Sequence, residues 1–258
     1  MLYRISSSKN DKYKFFKSLK TKKYRTDSNS YTVEGKKSVV DAINSDERIL
    51  SVIVSEDFYE NNEFSYPDNT DIYIVGNEIF SNLSSTENPQ GIIAVLSQSD
   101  NIELALDKEK AYIYCDHIQD PGNLGTIIRT ADAAGFGGVL LSKDCVDLYN
   151  PKTVRSSMGS FFHIKKLSDF TAEALSEYKK QGFSIVCGVL SDRTIEYTKA
   201  DFSKPVIIVI GNEANGISNE ILAISDVNIK IPIDGNAESL NAAVAAAIIM
   251  YEVRRQRK

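Results

Sequence analysis

Tryptophan is absent from the 258 residues, histidine occurs twice, proline six times, and the three cysteines never form a C-x-x-C pair. Each scarcity excludes something. With no cysteine pair and no His/Cys cluster at zinc spacing, neither a disulfide framework nor a bound metal is expected. No apolar run reaches the roughly 18 residues of a bilayer-crossing helix. The first residues are too polar for a secretory signal. Unpaired thiols and the missing membrane segment set the expectation of a cytoplasmic protein.

What is present is an ordinary globular composition, 42% hydrophobic and 25% charged, long enough for one or two domains. The net charge of −5 hides an uneven distribution. Residues 1–40 hold eleven Lys/Arg against three acids, a balance of +8, and the rest of the chain carries −13. That asymmetry points to a localised polyanion contact, against the plainer reading of a solvated basic helix face.

Residues 8–24 read as a helix with Tyr13, Phe16 and Leu19 on one side and lysines around it. "YTVEG", "ILSVIV", "DIYIV" and "GIIAVL" read as strands, with helices between them and a turn at "ENPQG". This gives a small α/β domain over residues 1–98, followed by a polar linker over 97–110. Strand and helix then alternate through a second domain, 108–258. Its strand candidates are 111–115, 138–142, 161–164, 184–190, 206–210 and 227–233; its helices include 124–134, 169–181 and 239–256. Such alternation implies a parallel sheet covered on both faces, with ligands beyond the carboxyl ends of the strands.

Three glycine-bearing stretches fall at those ends. "DPGNLGTIIRTADAAGFGG" (120–138) contains neither a Walker loop nor a dinucleotide fingerprint. It reads as a tight turn, Asn123 as a helix N-cap, and Arg129 within an apolar helix where a guanidinium needs an anionic partner. "IVIGNEANGISNE" (208–220) ends a buried strand at Gly211 and places Glu213 where it could pair with Arg129. "IPIDGNAESLNAAVAAAIIMYEVRRQRK" (231–258) offers Ser239 or Asn241 as the cap of a helix whose alanines permit close packing. His117 is read as a histidine satisfied at a strand end, ahead of a role as proton acceptor.

In order, "NLGTIIRTADAAG", "IGNEANGIS" and "IPIDGNAESLNAAVAAA" resemble the three signature motifs of the SpoU (TrmH-like) class of SPOUT RNA ribose methyltransferases. "LKTKKYRTDSNSYTVEGKKSVVDAI" and "NPQGIIAV" resemble the substrate-binding domain often attached to them, and "NPKTVRSSMGS" (150–160) a segment near their catalytic face. The resemblance implies a knotted α/β domain, bent S-adenosylmethionine, a homodimer, and methylation of a ribose 2′-hydroxyl. It places the active-site group on Asn123, Arg129, Glu213, Ser239 and Asn241 and the cofactor pocket on Gly188, Gly211, Ile231 and Leu240. Ala214 and Ala243 depart from the commoner glycine and serine, which touches only fine cofactor contacts.

Within that reading Arg129 clamps phosphate and stabilises the developing alkoxide, since a guanidinium keeps its proton at working pH. RNA phosphates are expected at Lys22, Lys23 and Arg25, with Gln90 as a further polar contact and the tail "RRQRK" adding to them. Ribosomal RNA is favoured over transfer RNA. The competing readings are a non-catalytic RNA-binding or ribosome-assembly protein, against which the intact active-site group weighs, and a nicotinamide oxidoreductase, against which the missing G-x-G-x-x-G weighs.

Overall fold

The structure is a computed structural model that describes residues 1–45, 47–98, 105–191 and 194–257. Residues 99–104 of the expected linker and the last lysine of the basic tail lie outside the described residues. By packing, the chain divides into two compact units: Met1–Asp100 with Tyr149–Phe162, and Asn101–Leu148 with His163–Lys258.

The first unit is built on β1 (Leu2–Ile5), β2 (Ser30–Glu34), β3 (Ile49–Ser55), β4 (Asp71–Val75) and β5 (Ile92–Ser97), in the order β1-β4-β3-β5-β2. β1, β4 and β3 run parallel, and β5 is antiparallel to both of its neighbours. Helices α1 (Asp11–Ser18), α2 (Lys22–Asp27), α3 (Lys36–Ile43), α4 (Glu56–Asn61) and α5 (Asn77–Ser81) connect them. The single helix expected over 8–24 is two. Asn10 caps the first by accepting from the Lys12 and Tyr13 N–H groups, and the chain turns at Leu19 before α2 begins. Tyr13, Phe16 and Leu19 bury against Ile53, Tyr73 and Val75, as the amphipathic pattern requires.

The second unit has seven parallel strands: β6 (Tyr112–Cys115), β7 (Gly138–Leu141), β8 (Lys165–Leu167), β9 (Ser184–Gly188), β10 (Ile195–Glu196), β11 (Val206–Ile210) and β12 (Val227–Lys230). Their order is β10-β12-β9-β11-β6-β7-β8. From β6 the chain winds outward through β7 and β8, then returns to the other side, so the order reverses between β6 and β11. Every residue of "VIIVI" in β11 is buried, as expected for a strand covered on both faces. At about 1.5–3 kcal/mol per fully buried aliphatic side chain, such strands dominate the stability of the unit.

Helix α6 (Pro121–Ala134) starts with Pro121 in the first turn, is capped by Asp120, and ends at Gly135 in the left-handed region, φ 77°. It is followed by α7 (Pro151–Ser156), α8 (Ala172–Lys180), α9 (Asn219–Ile224) and α10 (Ala242–Gln256). α10 packs on α6, and the buried Ala242, Ala243 and Ala246 keep its inner face small.

Two expectations need correction. "FFHI" (161–164) is not a strand; Ser160–Phe162 is a 3₁₀ turn. Phe161 is buried among Tyr31 and Tyr149, so its apolarity reflects an aromatic cluster rather than sheet burial. The same cluster, with α7 against β2, is why Tyr149–Phe162 packs as part of the first unit and the second is not continuous over 108–258.

Candidate active site

The site lies where the strand order of the second unit reverses, the position at which open α/β sheets hold ligands. Its three loops follow β6, β11 and β12. Because Asp120 takes the cap, accepting the Asn123 N–H at 2.8 Å, Asn123 sits inside the first turn of α6 and not at its N-cap. That frees its side chain. Asn123 Nδ2 donates to Glu213 Oε1 at 2.6 Å, and Asn123 Oδ1 accepts from Asn241 Nδ2 at 2.9 Å. Asn241 is the N-cap of α10, its Oδ1 accepting the Ala243 and Val244 N–H groups at 3.0 and 3.2 Å. One residue from each motif therefore joins a single line of amide and carboxylate. Glu213 is met by Asn123, where the sequence suggested Arg129. Arg129 lies exposed on α6, six residues beyond Asn123.

Beside this line opens a cleft of about 600 Å³, within the range of small-molecule sites. Gly188, Gly211, Ile231 and Leu240 line it, as do Glu213 and Ser239. Gly211 is demanded by space: a Cβ there would overlap the main chain of Gly216 and Ile217, which folds back over it. Ile210, Ile217 and Ile229 contribute apolar lining, and Asn228, Lys230 and Glu238 polar lining. An amphipathic ligand combining a flat heterocycle with charged groups fits such a lining.

His117 Nδ1 lies 2.7 Å from Asp116 Oδ1 and its Nε2 3.3 Å from Asp144 Oδ2, which satisfies it at the end of β6. Burial pushes the thiols of Cys115 and Cys145 up and that of Cys187 up to about 11, so none is a ready nucleophile. Among the described residues no group of three or more His, Cys, Asp or Glu could hold a metal ion, and no helix is long and apolar enough to cross a membrane.

In the first unit Lys22 and Lys23 are exposed on α2. Arg25 is not available to phosphate. It is 3% exposed, and its Nη1 donates to the Leu19 carbonyl at 2.8 Å, pinning the turn between α1 and α2. Gln90 is exposed, but its Oε1 is occupied, accepting the Lys36 N–H at 2.8 Å at the start of α3. Sequence reasoning passed over Asn212, whose Oδ1 accepts from the Ala214 and Asn215 N–H groups at 2.8 and 3.0 Å and shapes the loop carrying Glu213. The signal was an asparagine opening a glycine-bounded bend, the sequence sign of an Asx turn.

Sheet, switch-point cleft and motif line agree with the comparisons to known proteins, which place the chain among α/β methyltransferases with an attached substrate-binding domain. The chain belongs to the SpoU rRNA Methylase family, whose model matches residues 110–251, and residues 10–94 match the MRM3-like substrate binding domain. It is 36% identical over 254 residues, 97% of this chain and 98% of the relative, to a 23S rRNA (guanosine(2553)-2′-O)-methyltransferase of Bacillus subtilis. It is 34% identical over 178 residues, 66% of this chain and 62% of the relative, to a 23S rRNA (uridine(2479)-2′-O)-methyltransferase of Streptomyces viridochromogenes. A solved AdoMet-bound rRNA methyltransferase of Sinorhizobium meliloti superposes with a TM-score of 0.88 at 31% identity, covering 98% of both chains.

Proposed function

We propose that this enzyme transfers the methyl group of S-adenosylmethionine to a ribose 2′-hydroxyl of large-subunit ribosomal RNA. The observation that supports it most is the line Asn241–Asn123–Glu213, which joins the three motif segments beside one cleft. When bound, S-adenosylmethionine supplies an activated methyl group for in-line displacement. Gly188, Gly211, Ile231 and Leu240 are the residues that would hold it. Holding donor and hydroxyl in line is worth about 7–11 kcal/mol, and the chain's main contribution is that geometry.

Arg129 meets the negative charge that grows on the ribose oxygen and clamps the neighbouring phosphate; the proton leaves to water or a neighbouring acceptor. Asn123 and Glu213 orient the acceptor nucleotide against it, and Ser239 and Asn241 shape the mouth of the cleft. The first unit binds RNA, with Lys22 and Lys23 on phosphate and Gln90 Nε2 as a further donor, and the second unit carries the chemistry. The same reading includes a trefoil knot, supported by β12 lying between β9 and β10. It also includes a cytoplasmic homodimer, supported by Val244 and Tyr251, which leave α10 48% and 47% exposed.

Mapping ribose methylations in a deletion strain tests the assignment. Loss of one 2′-O-methyl from large-subunit rRNA is expected. Loss from a transfer RNA would move the substrate, and an unchanged methylation map would remove the activity.

A further inference from the structure

Asp116 is 1% exposed, directly follows β6, and has no part in the chemistry described above. A carboxylate buried to that degree is costly unless its oxygens are met by donors. Here both are met. Oδ2 accepts the Ser218 N–H at 2.7 Å, and Oδ1 lies 2.7 Å from His117 Nδ1. The Asp116 N–H donates to the Ile210 carbonyl at 2.8 Å, extending the β6–β11 ladder by one step to the residue before Gly211.

These contacts bracket one loop. Ser218, at the N-cap of α9, is where the loop after β11 ends. Its other foot is Asn212, whose Nδ2 donates to the His117 carbonyl at 2.8 Å. That carbonyl is presented because His117 adopts φ 58°, and because its own N–H donates to Ser142 Oγ at 2.9 Å. Asn212 and Gly216 then exchange main-chain bonds of 2.9 Å in both directions, closing the loop on itself. Glu213 follows the Asn212 foot of this closed loop and reaches Asn123. Ile217 sinks one end of the loop into the core of the unit, and the side-chain hydrogen bonds at its two feet converge on residues 116 and 117.

We infer that Asp116 is a positioning residue for methyl transfer, stapling the loop after β11 so that Glu213 meets Asn123. The inference rests on the proposed function and adds to it a residue that touches neither cofactor cleft nor acceptor. It acts through Ser218 directly and through the His117 main chain on Asn212.

The test is a double-mutant cycle in methyl transfer to 23S rRNA, with Asp116→Ala, Glu213→Ala and the pair. A displacement of about 1 Å costs on the order of 100-fold, so Asp116→Ala lowers kcat by about that factor. Asp116→Asn returns it to within about tenfold, because the amide keeps an acceptor for Ser218 and a second polar atom for His117. The double variant is no slower than Glu213→Ala alone. Losses that multiply, or a kcat unchanged in Asp116→Ala, would overturn the inference. If Asp116→Ala does not fold, Asn212→Ala enters the same cycle with the same expectation. A wild type that methylates no RNA would overturn the proposed function instead. Amide exchange at Ala214, Asn215 and Ser218 then decides on the staple alone: faster exchange in Asp116→Ala, largely restored in Asp116→Asn, supports it, and unchanged exchange in Asp116→Ala overturns it.

Discussion

The two units use charge in opposite ways. In the first, lysines crowd the surface of α1 and α2 while the one arginine among them, Arg25, is buried as a structural pin. In the second, polar side chains gather at strand ends, where Asn123, Glu213 and Asn241 bond to one another and Asp116 and Asn212 to main chain. A surface that grips a polyanion needs many replaceable cations; a site that aligns two reacting atoms needs a few groups that cannot move. The consequence is that single substitutions fall lightly on the first unit's surface and heavily on the second unit's loops.

The largest expected effect breaks the second unit's side of that comparison. Arg129→Ala lowers kcat by about 10²–10³ with S-adenosylmethionine binding unchanged, read by single-turnover transfer beside calorimetry. Gly211→Ala follows. Its Cβ has no space against the main chain of Gly216 and Ile217, so the loop shifts, cofactor affinity falls by about 100-fold and stability falls by about 1–3 kcal/mol. In the first unit Arg25→Gln costs about 1–3 kcal/mol in stability, seen as a lower denaturation midpoint, because the Leu19 carbonyl loses its donor. RNA affinity of the folded fraction stays the same. Lys22→Gln with Lys23→Gln leaves stability alone, weakens RNA binding several-fold, and reduces the slope of log affinity against log salt by about 1–2.

The smallest effect concerns the thiols. Burial raises their pKa, which favours the neutral form, so at pH 8 only about a thousandth of Cys187 is thiolate. Alkylation of the folded protein at that pH is slow, and it becomes fast on unfolding. Rapid labelling in the native state would contradict the burial.

The parallel sheet could be read from the sequence because strands buried on both faces are continuous apolar runs, as "VIIVI" is. The cleft could be read because its backbone needs glycine at Gly211, and such needs leave a mark on sequence. The identity of partners could not. Asn123 looked like a cap because the helix pattern starts at Leu124, yet Asp120 and Pro121 begin the helix earlier and release the Asn123 side chain for Glu213. Arg25 looked like its lysine neighbours; the break at Leu19 turns α2 and carries it inward. "FFHI" looked like a strand because aromatic clustering and sheet burial have the same composition. β1 was missed because four residues, "LYRI", at a sheet edge with one buried position carry almost no pattern.

The most direct measurement is the fate of a labelled methyl group. The purified enzyme is incubated with S-adenosylmethionine labelled at the methyl and with 23S rRNA transcript, and the RNA is then hydrolysed in alkali. Methylation at the ribose blocks cleavage at that nucleotide, so the label is predicted in a single alkali-resistant dinucleotide and absent with Arg129→Ala. Label in free mononucleotides, which places the methyl on a base, or no transfer at all would contradict the account.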